Sequence, residues 1–366
     1  LAVEIRPEGV VAARAEDAAA LLSAVSFSTL TAGAVAPGLK PGNLPGRAAV
    51  VTAVRKALEA VTLKERDTSL VLPDAAVRVL LLEFDSLPAK PAEALPIVRF
   101  RLKKLLPFDA DEAVVSYQVM QTRRDSVRVV AVAVPREVLA EYESVVREAG
   151  YEPGAVLPST LAALSGLAED AESTLVVNAG ETSVTTAIVE GGLLLLHRMV
   201  DFDAEGVEVI ADAEVASPPI QREQLPLIDA DSSAAEWTMQ QPVSGYGVID
   251  ERHVGERAAA VARAAMLPAP VSAIEARRAS AAREITQAVS VAAAYFEDTL
   301  QRVPGAVLSA GSLSADELAE IIAEAGFSRQ LVRTEGMVDA TMLTGGGATT
   351  RAPLGWLAGV RGALRS

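Results

Sequence analysis

Cysteine is absent from this chain of 366 residues, which excludes disulfides, thiolate nucleophiles and cysteine-ligated zinc or iron–sulfur centres. A reducing interior compartment agrees with that. Histidine is almost absent too: His197 and His253 stand far apart in sequence, so neither a histidine metal pair nor a Ser-His-Asp triad is expected. Aromatics make up only 4% against 50% hydrophobic residues, so the core must be Ala, Val and Leu packed on sheets and helices. Basic residues are outnumbered, 33 to 48, and the resulting net charge of -15 argues against sequence-independent binding of nucleic acid or anionic lipid. Long apolar runs are missing as well. Val77–Leu82, Val129–Pro135 and Leu193–Leu196 fall far short of the roughly 20 residues that span a bilayer and read as buried strands. The first residues alternate like a strand and carry no basic segment, so the expectation is a soluble, cytoplasmic chain without a signal peptide.

What is present suits two lobes rather than one small core. Thr174–Ser183 followed by Val184–Leu193 reads as strand, glycine turn and strand, the shape of a phosphate-holding hairpin in which Gly180 lets backbone N–H groups close around an anion. A carboxylate ending the first strand would orient a metal ion there; Asn178 holds that position and brings no charge. Leu1–Ile5 and Val10–Arg14 flank Arg6-Pro-Glu-Gly9 in the same way, with Gly9 free to adopt positive φ. Two such hairpins, each opening half of the chain, imply a duplicated α/β architecture around a cleft.

Between them, Ala34–Gly46 is a Pro- and Gly-rich loop, and helical spacing covers Arg47–Leu63. Ser69–Leu72 and Val77–Phe84 are predicted strands. Pro91–Leu106 is a predicted helix with Leu95, Val98, Leu102 and Leu105 inward, Arg99, Arg101, Lys103 and Lys104 outward, and a start limited to near Pro96. Two strands, Ala113–Met120 and Val127–Val134, lead to a helix over Arg136–Ala149 closed by Gly150. Residues 203–251 are acidic and aperiodic, a long insertion. Ile274–Leu300 is helical, Ala306–Ala310 a strand, and Ala315–Ala325 a helix closed by Gly326. Gly345–Gly347 lacks the Lys-Ser/Thr of a P-loop and reads as a bend, and Trp356 as the anchor of a terminal helix.

In this order the elements resemble the actin and sugar kinase superfold and, within it, the type IV pilus assembly protein PilM family and its relative FtsA. The most specific part is Phe84-Asp-Ser-Leu-Pro88, a helix, and Leu106-Pro-Phe-Asp109 running into the strand that carries Tyr117 and Gln118, which looks like that family's extra subdomain. The resemblance implies an α/β, bilobal actin-like fold, a duplicated ribonuclease H-like unit with an inserted small α+β subdomain. Residues 1–86 and 136–170 would form the first lobe, 87–135 the insertion, and 171–366 the second lobe.

ATP with Mg²⁺ is the cofactor the superfold implies. Its site here would be degenerate, with Glu4 and Gly9 in the first hairpin, Asn178, Gly180, Thr182 and Ser183 in the second, and Gly311 and Ser312 at the adenosine turn. No catalytic residue and no metal ligand is assigned. Inherited structural turns are expected ahead of a working ATPase, with weak ATP binding without turnover as the sharper alternative. The partner implied by the resemblance is the cytoplasmic N-terminal tail of a bitopic, PilN-like inner-membrane protein, held in a groove lined by Leu105, Pro107, Phe108, Val115 and Tyr117; pilus motor ATPases are further implied partners. Asp in place of Phe108 is expected to abolish capture without unfolding. Such a scaffold would sit at the inner membrane through its partners. The rivals are an active actin-like ATPase or sugar kinase-like phosphotransferase, and the cytoplasmic domain of a GspL-like secretion protein.

Overall fold

Both hairpins form, and each opens a five-stranded sheet. The computed structural model describes residues 1–17, 20–167, 173–202, 271–301, 303–324, 333–344 and 353–365. The expected insertion at 203–251, His253, Gly326 and Gly345–Gly347 lie outside these. The first half runs β1 (Ala2–Arg6), β2 (Gly9–Ala15), β3 (Leu22–Thr29), α1 (Arg47–Val61), β4 (Asp67–Leu72), β5 (Arg78–Phe84), α2 (Pro91–Leu102), β6 (Ala113–Thr122), β7 (Val127–Pro135), α3 (Arg136–Glu148), β8 (Glu152–Pro158) and α4 (Ser159–Leu164). The second half has β9 (Thr174–Ala179), β10 (Ser183–Glu190), β11 (Leu193–Asp201), α5 (Val271–Tyr295), β12 (Ala306–Gly311), α6 (Ala315–Glu324), β13 (Arg333–Gly336) and α7 (Leu357–Ala363).

The two large sheets share one strand order, β3-β2-β1-β4-β8 and β11-β10-β9-β12-β13. In each, a three-stranded antiparallel meander is followed by two strands added parallel to its first strand. That is the duplication anticipated from the hairpins, now at the level of topology. A third, antiparallel sheet, β5-β7-β6, carries α2 on one face. Because β5 pairs with β7 along its whole length, the small sheet starts at Arg78, ahead of the boundary at 87 expected from the sequence.

Four apolar clusters account for the packing. Val50, Val54, Ala57, Leu58 and Val61 of α1 meet Val138, Tyr142, Val145 and Val146 of α3 over one face of the first sheet. On its other face, Ala2, Val11, Ala13 and Val71 share a core with Val176, Ala187 and Ala310 of the second sheet and with Trp356, Leu357 and Val360, so α7 packs against both sheets. The outer face of the second sheet is covered by Ile285, Val289 and Phe296 after α5 begins and by Leu318 and Ile322 of α6. Fully burying each such side chain is worth about 1.5–3 kcal/mol, which is how a chain with few aromatics holds these layers.

Local signals explain the ends of several elements. Gly150 adopts φ +95° after α3, with Gly150 N–H bonding Arg147 O (2.9 Å) and Tyr151 N–H bonding Val146 O (3.2 Å), the left-handed cap the sequence pointed to. Pro96 does not limit α2, which begins at Pro91 and carries Pro96 inside. One helical hydrogen bond is lost there, and burial of Ala94, Val98 and Leu102 on the small sheet offsets it. Strands β3 and β13 were not foreseen: Ser23, Ser26 and Ser28 break the apolar run in the former, and the latter is the polar Arg-Thr-Glu-Gly.

Gly9 is not in the positive-φ region expected of it. It is a strand residue paired with Arg6 and Thr29, and glycine is required because a Cβ would stand 2.5 Å from Ser28 O and 2.6 Å from the Phe27 ring. Gly9→Ala is therefore expected to destabilise the chain by about 1–3 kcal/mol in urea denaturation. An unchanged midpoint would show that β3 is free to give way.

Candidate functional site

The turns at the ends of β1 and β9 face each other, and the residues between them form a buried polar chain. Arg6, 7% exposed, donates from Nη1 to Glu4 Oε1 (2.8 Å) and from Nη2 to Ala179 O (3.4 Å), and lies 3.5 Å from Glu8 Oε2. Its guanidinium also sits 5.5 Å from the centroid of the Trp356 ring, which in turn meets Phe27 edge-on at 4.9 Å. Glu4, 1% exposed, accepts a second bond from Ser159 Oγ (2.7 Å) on the same Oε1. Asn178 Nδ2 donates to Ser159 Oγ (3.0 Å) and to Thr160 Oγ1 (3.0 Å). Asp74, in the short 3-10 turn after β4, accepts from Thr160 N (3.0 Å), Thr160 Oγ1 (2.5 Å) and Thr185 Oγ1 (3.0 Å).

The electrostatics follow from burial. Withdrawal from water pushes the Glu4 carboxyl above its ordinary value, and Arg6 and Ser159 oppose that shift. Burial alone would lower Arg6, but Glu4 and Glu8 outweigh it and hold the guanidinium above its ordinary value, firmly cationic. His197 on β11 is held below its usual value by burial, against the pull of Asp74. Its Nε2 is buried without a hydrogen-bond partner.

Of the residues assigned from the sequence, Glu4, Asn178, Gly180, Thr182 and Ser183 come together and line this cleft with Arg6, Pro7, Pro37, Pro73, Asp74 and Ser159. Gly9 does not line it. Gly180 N–H, expected to face an anion, instead bonds Ser183 O (2.8 Å) and closes its own turn. The next N–H, of Glu181, is taken by Glu8 Oε1 at 2.7 Å. The adenosine turn is also engaged within the protein. Gly311 has φ +78° and packs against Ala179, Ser312 donates from N (2.7 Å) and Oγ (3.1 Å) to Ala179 O, and a Cβ on Gly355 would lie 2.6 Å from Gly311 O. The cavity left in the cleft measures about 30 Å³. Small-molecule sites usually need about 300 Å³ or more. Among the described residues no group of three His, Asp or Glu side chains is placed to hold a metal ion.

Sequence reasoning missed Arg6, Asp74, Ser159, Thr160 and Thr185. Asp74 carried one readable signal, an acid two residues after a strand end in Leu72-Pro-Asp-Ala-Ala, but its partners are 86 or more positions away. The groove residues divide. Val115 is buried, and Phe108 and Tyr117 are half-buried against the core of the small sheet, whereas Leu105 is 48% exposed and Pro107 is exposed. Phe108 is thus part of the packing, and Asp there would disturb the fold, contrary to the expectation. Leu105, expected inward, faces solvent. Arg99, expected outward, folds back to donate to the carbonyls of Ala110 and Ala113.

No known family profile and no curated protein matches the chain. Solved structures do. A chain of a PilM-PilN type IV pilus biogenesis complex superposes with a TM-score of 0.67 at 16% identity, over 99% of this chain and 96% of that one. The cytoplasmic domain of EpsL, an inner-membrane component of the type II secretion system of Vibrio cholerae, matches 55% of this chain and 70% of that one at 14% identity and TM-score 0.36. The ethanolamine utilization protein EutJ from Carboxydothermus hydrogenoformans gives 0.43 at 10% identity, over 100% of this chain and 88% of that one.

Asp74→Ala would strand the Thr160 amide and two buried hydroxyls. It should cost about 3 kcal/mol in chemical denaturation, and a loss under about 1 kcal/mol would mean the junction does not depend on it. With its paired five-stranded sheets, its small third sheet and near-complete superposition, the chain has the bilobal actin-like fold in the form seen in the PilM-PilN complex.

Proposed function

We propose that the chain is a platform protein of a type IV pilus or related secretion machine. It holds the cytoplasmic N-terminal tail of a PilN-like bitopic inner-membrane partner, and its nucleotide cleft is degenerate. The fold shared with a chain of the PilM-PilN complex supports the machine. No described helix is long and apolar enough to cross a membrane, so contact with the inner membrane would run through the partner.

The observation that carries tail binding is a groove of about 360 Å³ between the end of β5 and the outward face of α2, lined by Glu83, Phe84, Asp85, Ile97, Phe100, Arg101 and Lys104. Phe100 is 68% and Ile97 40% exposed, large apolar groups left in water beside two cations. Among the described residues, strand β5 lies at the edge of its sheet and pairs with β7 alone. An extended segment binds such an edge through backbone hydrogen bonds, with alternate side chains filling the apolar floor and acidic ones meeting Arg101 and Lys104. Of the residues expected to line the groove, Leu105 is exposed just past the end of α2, and Phe108, Val115 and Tyr117 belong to the core of the same small sheet rather than to the lining.

Turnover fits the geometry poorly. Glu4, the residue placed to orient a metal, is bonded to Arg6 and Ser159, and the cleft is filled by the protein's own side chains.

Phe100→Asp is expected to weaken binding of a fluorescently labelled partner tail at least tenfold in an anisotropy titration, with the urea midpoint unchanged because the side chain is exposed. Undiminished binding would remove the groove from the assignment.

A further inference from the structure

An open strand edge invites another strand unless charge, proline or a cover guards it, and most edges of this protein are guarded. At the rims of the three sheets, β5 carries Arg78 and Glu83, β8 carries Glu152, Pro153 and Pro158, β11 carries Arg198 and Asp201, and β13 carries Arg333 and Glu335. Uncharged β3 is covered at Leu22, whose carbonyl accepts from Thr344 N (3.0 Å). Strand β6 differs from all of these. Ala113–Thr122 contains no charge, proline or glycine, and among the described residues it pairs with β7 alone. Its register slips between Val119 and Gln121, which leaves Ala113–Val119 as a regular stretch. Beyond the Ala113 carbonyl, held by Arg99 Nη1 at 3.1 Å, that stretch is open on both faces: Ser116 and Gln118 are exposed on one, and Val119, 42% exposed, stands on the other with Val115 and Tyr117.

Charge is sorted about this stretch. Asp109, Asp111 and Glu112 precede it, while Arg123 and Arg124 follow it before Asp125 in the turn to β7. Lys103 pairs with Asp111 at 2.6 Å, but Glu112, Arg123 and Arg124 are exposed and make no ion pair among the described residues. A strand that is acidic at its start and basic at its end complements itself when reversed. Set parallel to a copy of itself, it would place acids against acids.

We propose that β6 is a self-association edge, along which two copies of this chain join antiparallel and merge their small sheets into one. A two-fold axis that keeps each face of the sheet on its own side must set one residue opposite itself, and the middle of the regular stretch is Ser116. Ala113 then lies opposite Val119 of the second copy and Asp109 opposite its Arg123, with Glu112 and Arg124 close by. Backbone hydrogen bonds supply the adhesion and the sorted charges fix direction and register. This goes beyond the tail-binding reading, which uses the β5 edge across the same sheet, and it gives the assembly two such grooves related by symmetry.

Sedimentation equilibrium of the full chain is expected to show a reversible dimer at concentrations up to about 100 µM. Ser116→Lys sets two ammonium groups opposite each other on the axis and should raise the dissociation constant at least tenfold, with the urea midpoint unchanged because the site is exposed. Two further variants, Glu112→Arg and the pair Arg123→Glu with Arg124→Glu, should each associate at least threefold more weakly alone, yet recover the original affinity when mixed, since only the mixed dimer restores opposite charges at both ends. A chain that stays monomeric throughout would overturn the proposal. So would a dimer indifferent to Ser116→Lys, or a mixture no tighter than its components. The tail titration reads Phe100 at the other edge, so failure here and failure of the groove assignment are separate results.

Discussion

A guanidinium withdrawn from water between two sheets is the constraint on which this structure turns. Desolvating a cation costs several kcal/mol even after relaxation, so Arg6 is tolerable only while its surroundings return that energy. They do so from four parts of the chain: Glu4 on the same strand, Glu8 across its turn, the Ala179 carbonyl of the other lobe and the face of Trp356 near the C-terminus. A planar fork with several donors can serve all of these at once, which a lysine ammonium on a flexible stem would not. The first lobe's opening strand is thereby tied to the second lobe's, and both to the terminal helix.

That tie is backed by contacts at the level of the backbone. Gly359 lets α7 lie against the Glu4 carboxylate, Gly362 lets it meet the Ala162 carbonyl of α4, and Gly355 lets the preceding turn close on Gly311. Each position would be blocked by a single Cβ. Asp74 adds a second polar tie, since its acceptors serve Thr160 on α4 and Thr185 on β10. The two large sheets are thus joined through close helix packing and a buried chain of hydrogen bonds.

The sequence made the local parts of this legible. Alternation announced both hairpins, apolar spacing gave α1 and α3, and Gly150 marked the end of α3, because each signal lies within a few residues of what it specifies. What depended on distant chain was not legible. Arg6 reads as a turn residue until β9 places a carbonyl beside it, and Asp74 as a loop acid until α4 and β10 supply hydroxyls. Gly9 misled for the same reason: local grammar offers glycine for positive φ, whereas the crowding that requires it comes from Phe27 and Ser28, on a strand whose serines hid it. Leu105 left its expected side because α2 ends at Leu102, so helical spacing no longer applies to it, whereas Arg99 stays within the helix and its long side chain folds back to the carbonyls of Ala110 and Ala113, which no helical spacing announces.

The same charges that build the junction decide what it can accept. A nucleotide's phosphates need fixed positive charge and turn amides, and here the one cation lining the cleft among the described residues, Arg6, is committed to carboxylates while Glu8 holds an amide of the turn. Space agrees with charge, since about 30 Å³ admits water but not a ribose or a base. The small sheet is the opposite case. Its α2 face leaves Phe100 and Ile97 uncovered next to Arg101 and Lys104, with an edge strand alongside, so its unmet interactions point outward. Under the proposed reading, the contrast between a cleft occupied by the protein's own ion pairs and an edge strand beside uncovered apolar side chains is what suits the small sheet to an extended polypeptide.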